Sequence, residues 1–119
     1  MRLKRGQVWR AAVPFNDDPE QTKLRPVVVI GWSRVGLDQD SVVLVVPITT
    51  FGSGGRPREG DVEIPDPQSG GLNKRCWVRA RRVWAADPAA FDRQTGSTGS
   101  VSPQVMAEIL IEIEKLFSG

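Results

Sequence analysis

Histidine is missing from this 119-residue chain, and that absence removes more chemistry than any residue present supplies. Neither a Ser-His-Asp nor a Cys-His nucleophile system can be assembled, nor the two-histidine acid–base arrangement common in ribonucleases. Zinc loses its usual donors, because the chain also has a single cysteine, Cys76. One cysteine forms no intrachain disulfide, which fits a reducing compartment. No Gly-x-x-x-x-Gly-Lys-Ser/Thr cradle for phosphates occurs; Gly52-Ser-Gly-Gly55 runs into Arg56-Pro57 instead. Apolar runs are short, well under the roughly 18–20 residues that span a bilayer. The basic N-terminus, Met1 to Arg5, is followed by Gly6-Gln-Val-Trp-Arg10 rather than by the apolar core of a signal peptide. We therefore expect a cytoplasmic protein without metal or other cofactor, whose chemistry rests on Arg, Lys, carboxylates or hydroxyls.

What remains is ordinary for a globular domain: 39% hydrophobic, 25% charged, net charge +2. The length suits one domain over residues 1–119, with no linker or repeat. Gly6 to Val13 reads as a first strand, with Val8 on one side and Trp9, Ala11 and Val13 on the other. Pro14 to Thr22 is turn-rich and polar, hence a loop. It delivers the chain to Lys23-Leu-Arg-Pro-Val-Val-Val-Ile30. Pro26 pushes Arg25 toward extended geometry, and Val27 to Ile30 read as a strand buried on both faces.

Gly31 to Asp40 reads as an irregular excursion, and Ser41 to Ile48 as the second core strand. Pro47 is expected at an edge or bulge near its end, since it cannot donate to a ladder. Thr49 and Thr50 follow, then a loop over Phe51 to Pro57. Asp61 to Ile64 alternates, with Val62 and Ile64 inward; Pro65 to Gly71 is a turn region. Cys76 to Trp84 alternates as one strand, with Val78, Ala80 and Trp84 on one face and Trp77, Arg79, Arg81 and Val83 on the other. Asp92 to Ser100 is a polar loop. Ser102 is a good N-cap and Pro103 suits the first helical position. Val105, Met106, Ile109, Leu110, Ile113, Leu116 and Phe117 then form an apolar helical stripe, with Ile111 off it. The expected class is mainly β: a small antiparallel β-barrel with one C-terminal α-helix.

If the two core strands pair antiparallel, Arg25 at the start of one and Thr49 at the end of the other fall at the same edge of the sheet. A guanidinium offers a planar fork of donors and Thr a hydroxyl, which together suit a phosphate. The plainer alternatives are a solvated arginine and a threonine in turn chemistry. Lys74, Arg75, Arg79, Arg81 and Arg82 cluster with Trp77 and Trp84. That mixture suits single-stranded nucleic acid, or else a solvated face over core tryptophans. Glu20, with Asp17 and Asp18, is either a solvated loop charge or a carboxylate that orients Arg25 or meets a base edge. Cys76 reads as a small buried apolar residue.

Taken in order, these residues resemble the MazF/PemK family of bacterial toxin endoribonucleases. The resemblance is carried by Lys4-Arg-Gly-Gln-Val-Trp9, Glu20-Gln21, Arg25-Pro-Val-Val-Val-Ile30, Val45-Val-Pro-Ile-Thr-Thr50, Asp61-Val-Glu-Ile-Pro65, Gly71-Leu72 and Ser102-Pro-Gln-Val105. It implies an SH3-like β-barrel, a homodimer, and metal-independent cleavage of single-stranded RNA, mRNA included, at short sequences. The 2′-hydroxyl attacks the adjacent phosphate, leaving 2′,3′-cyclic phosphate and 5′-hydroxyl ends. The family's catalytic arginine falls on Arg25 and its catalytic threonine on Thr49. RNA contacts are expected at Glu20, Gln21, Lys23, Thr50, Arg79, Arg81 and Arg82. A cognate antitoxin is implied as partner, its acidic tail crossing the basic strand. The chain departs from many relatives at Arg82-Val-Trp-Ala85, where they carry Gln-Ile-Arg-Thr, and at Cys76, where they carry Ser. The cleavage sequence therefore does not transfer. Two other classes remain: an SH3-like nucleic-acid-binding module without chemistry, and a gyrase-poisoning toxin on the same fold.

Overall fold

The computed structural model describes residues 2–13, 23–33, 42–50 and 57–118. The loop expected over Pro14–Thr22, most of the excursion after Ser33 and the loop after Thr50 lie outside these residues. Among those described, seven strands form one sheet in which every pairing is antiparallel: β1 Gln7–Ala12, β2 Leu24–Ser33, β3 Val42–Thr50, β4 Asp61–Glu63, β5 Cys76–Arg79, β6 Trp84–Ala86 and β7 Gly99–Ser100. The order is β4-β5-β3-β2-β1-β7, with β6 also against β3. The sheet curls into a half-barrel closed by the helix α1, Pro103–Glu114.

The unbroken Val27–Ile30 run is buried on both sides, as its β-branched composition requires. Val28 and Ile30 join Val8, Val46, Ile48 and Val78 in an inner core, onto which α1 lays Val105, Met106 and Ile109. Val27 and Val29 face the other way, into a second cluster with Trp9, Ala11, Val43, Val45 and Phe91. Trp9 and Phe91 meet there edge to face, with ring centroids 5.9 Å apart.

Ser102 caps α1 as its sequence predicts, its hydroxyl accepting from the Val105 N–H at 3.1 Å. The helix is shorter than its apolar stripe. Leu110 and Ile111 are exposed within it, and Leu116 and Phe117 lie beyond its end, exposed as well.

Four strand assignments differ from expectation. Strand β2 runs on through Gly31, Trp32 and Ser33, which had read as irregular. Pro47 sits inside β3, paired with Val27 on one edge. On the other edge β3 changes partner around it, from β6 at Val43–Val45 to β5 at Ile48–Thr50. A residue without an N–H is tolerated where that ladder is interrupted. The expected strand from Cys76 to Trp84 is two strands, broken by a turn in which the Arg82 N–H donates to the Arg79 carbonyl at 3.0 Å. Finally, Gly99 and Ser100 of the expected polar loop form β7 against β1.

Candidate RNA-cleavage site

Strand β2 holds Arg25 opposite Ala11 of β1. On its other edge the register with β3 runs Val28↔Val46, Val27↔Pro47; carried two residues further, it sets Arg25 across from Thr49. Thr49 is in turn paired with Trp77 of β5, and Trp77 with Glu63 of β4. Directly opposed residues share a face. Arg25, Thr49, Trp77 and Glu63 therefore form one row across four strands, on the face of Val27, Val43 and Val45. Arg25 and Thr49 are both half-buried, and their backbones sit in the sheet ladder.

The next row along β5 carries Arg79 opposite Asp61. Their side chains pair, Arg79 Nη1 donating to Asp61 Oδ2 at 3.2 Å, with only 13% and 5% of the two side chains exposed. The same carboxylate oxygen accepts the Arg58 N–H at 2.7 Å, which ties the turn before β4 to the pair. Arg75 reaches Glu63 at 3.0 Å in solvent, a contact worth little by itself.

Two other expected contacts, Thr50 and Arg81, are directed away from that row. Thr50 pairs with Cys76 and so projects to the face of Val46 and Ile48, away from Thr49. Arg81 turns toward the helix: its Nη2 donates to Glu112 at 3.1 Å and its Nη1 lies 3.8 Å from Glu59. Its stem crosses Gly60, where a Cβ would stand 2.6 Å from Arg81 Cδ. Arg81 is thus a strap between sheet and α1. Arg82 is exposed on the turn after β5, and Lys23 is exposed just before β2. Glu20 and Gln21 lie outside the described residues. Trp77 is 2% exposed and presents no stacking surface. Cys76 is buried in the inner core, where burial, reinforced by nearby Glu63, pushes its thiol pKa up and keeps it neutral.

Asp61 escaped the sequence reading although its signal was present. In Asp61-Val-Glu63 the alternation that sends Val62 inward sends both carboxylates to the site face. Chemically, the row offers a permanently charged fork and a hydroxyl on a rigid backbone, with a second guanidinium fixed one row away. Among the described residues no group of three or more His, Cys, Asp or Glu could hold a metal ion, and no helix is long and apolar enough to cross a membrane.

The same fold recurs in solved structures. The Mycobacterium tuberculosis toxin MazF-mt6 is 20% identical and superposes with a TM-score of 0.65 over 94% of this chain and 96% of that one. A chain of the MazE-MazF structure from Deinococcus radiodurans is 14% identical, with a TM-score of 0.65 over 97% and 94%. A mycobacterial endoribonuclease in complex with its cognate antitoxin is 19% identical, with a TM-score of 0.64 over 98% and 96%. At such identities the likeness speaks to fold. No curated protein sequence matches the chain. Residues 4–117, nearly the whole sequence, match the family model described as PemK-like, MazF-like toxin of type II toxin-antitoxin system, and the chain belongs to that family of toxins.

Proposed function

We propose that this toxin is an endoribonuclease that cuts single-stranded RNA at short sequences, with Arg25 and Thr49 as its catalytic pair. The observation that carries the reading is the shared register of β1, β2, β3 and β5, which lines Arg25 and Thr49 on one face. A phosphodiester laid over that row meets a guanidinium on one strand and a hydroxyl on the next. The substrate's own 2′-oxygen attacks phosphorus, giving up its proton to solvent. The P–O5′ bond breaks, and the leaving oxygen takes up a proton to become the 5′-hydroxyl. The other product end is the 2′,3′-cyclic phosphate. Arg25 clamps the charge that builds on the phosphorane and supports proton delivery to O5′; a guanidinium is too weak a base to do the opposite job. Thr49 hydrogen-bonds a phosphoryl oxygen.

Such a mechanism requires neither histidine nor metal, which fits a chain with no histidine. A cognate antitoxin as partner is supported by the antitoxin complex of the mycobacterial relative and by the MazE-MazF structure. A homodimer, a cytoplasmic setting and a single domain over 1–119 complete the reading.

The decisive experiment incubates long mixed-sequence single-stranded RNA with the protein and with Arg25→Ala in EDTA. Cuts recurring at one short motif, bearing cyclic-phosphate ends and lost in the variant, are expected. A folded, antitoxin-free protein that makes no cuts would overturn the proposal and favour an RNA-binding or gyrase-directed toxin.

A further inference from the structure

By strict alternation from Val28 and Ile30, Trp32 belongs on the inner face. The β2–β3 register slips between Val29 and Gly31, however, leaving Ile30 as an extra residue. Pairing resumes as Gly31↔Leu44 and Trp32↔Val43, so Trp32 comes round to the face of Val43, the Arg25–Thr49 face. Such bulges re-aim side chains and recur beside active sites. This one is tied down: the Ile30 carbonyl accepts from Arg5 Nε at 3.0 Å, and the Val29 carbonyl from the Gly6 N–H at 2.8 Å.

On the opposite edge of β3, Trp84 is paired with Val45 and so shares that face. Trp32 is 42% exposed and Trp84 41%, whereas the other two of the chain's four tryptophans, Trp9 and Trp77, are buried. Strand spacing and rise set the two exposed residues about 12 Å apart across β3. Thr49 lies four residues along β3 from Val45, about 14 Å, within reach of a short single strand. Arg82, exposed on the turn that leads into β6, supplies a cation next to Trp84. The nearest acidic group along the chain, Asp87, is occupied as a cap by the Ala89 N–H.

We propose that Trp32 and Trp84 are a base-stacking platform: each takes one unstacked nucleobase of the RNA strand whose phosphate lies on the Arg25–Thr49 row. The inference rests on the ribonuclease reading and adds the base-gripping part of the site. Indole rings bind a base face of any identity, so the platform grips several sequences and leaves fine discrimination to other contacts.

The chain has no tyrosine, so its near-ultraviolet emission reports tryptophan. Short 2′-O-methyl strands of oligo(A), oligo(C) and oligo(U), which cannot be cleaved, are titrated against the protein beside an abasic sugar–phosphate strand of equal length. Base-bearing strands should quench emission and bind; the abasic strand should bind at least about tenfold more weakly without quenching. Trp32→Ala and Trp84→Ala should each lower affinity about tenfold and raise KM for RNA, with Phe at either position restoring most of it. Thermal melts confirm that the variants fold.

Equal binding of abasic and base-bearing strands, or Ala variants that bind like the parent, would overturn the platform. If the parent still cleaves in EDTA, the ribonuclease reading survives that result. A parent that neither binds nor cleaves RNA sinks both. Quenching by an acidic peptide and by no RNA would assign the two rings to a protein partner instead.

Discussion

Replacing Thr49 separates its hydroxyl from its shape. Thr49→Val keeps volume and strand propensity, so the fold should hold while RNA cleavage falls by about a hundredfold or more, the scale of losing one oriented donor at a developing charge. Thr49→Ser should retain much of the rate; a Val variant cleaving like the parent would remove Thr49 from the mechanism. Asp61 poses a different question, because it and Arg79 are both nearly buried. Asp61→Ala removes a nearly buried ion pair and the acceptor of the Arg58 N–H, and should cost about 1–3 kcal/mol in denaturant unfolding. Replacing both, as Asp61→Val with Arg79→Leu, should recover most of that stability without recovering RNA affinity. Recovery of both would mean that Arg79 serves the fold alone.

At the scale of elements, the helix and the strands were unequally legible in the sequence. Val27–Ile30 announced a doubly buried strand because four β-branched residues in succession leave no solvated side. Ser102-Pro103 announced the start of α1, and Ser102→Ala should lower stability by about 1 kcal/mol, measured in urea. Ile109→Ala, emptying the centre of the inner core, should cost about 2–5 kcal/mol. The break between β5 and β6 left one faint mark. Arg81-Arg82-Val83 contains no Gly or Pro, and only Arg82, falling on the face of Val78, Ala80 and Trp84, interrupts the alternation where the backbone turns. Trp32 was illegible for a related reason: one extra residue reverses every face beyond it, and the carbonyl that settles the matter is held by Arg5, far off in sequence. That Arg25 and Thr49 fall at the same edge of the sheet, by contrast, follows from antiparallel pairing of β2 and β3 alone.

For the whole molecule, acid should loosen the attachment of α1 to the sheet. The hydrogen bond from Lys115, then that from Arg81, hold the Glu112 carboxyl below its ordinary value of 4.5. Its charged form is favoured in the folded chain, so its contribution is complete above that value and fades as pH drops through the lowered range. Asp92 adds in the same direction, held down chiefly by the Thr95 hydroxyl. Melting temperature should therefore decline below about pH 4.5, and Glu112→Gln should flatten the decline without abolishing it. A variant as acid-sensitive as the parent would show that the strap carries no pH dependence.

Cys76 gives the molecule a clock. Its sulfur is sealed in the inner core beneath β5, the strand that also presents Trp77 and Arg79 to the opposite face. A thiol reagent reaches it only when that part of the sheet comes apart. The rate of labelling in native buffer thus times the rarest excursion of the site's own floor, and RNA or antitoxin seated on that floor should slow it.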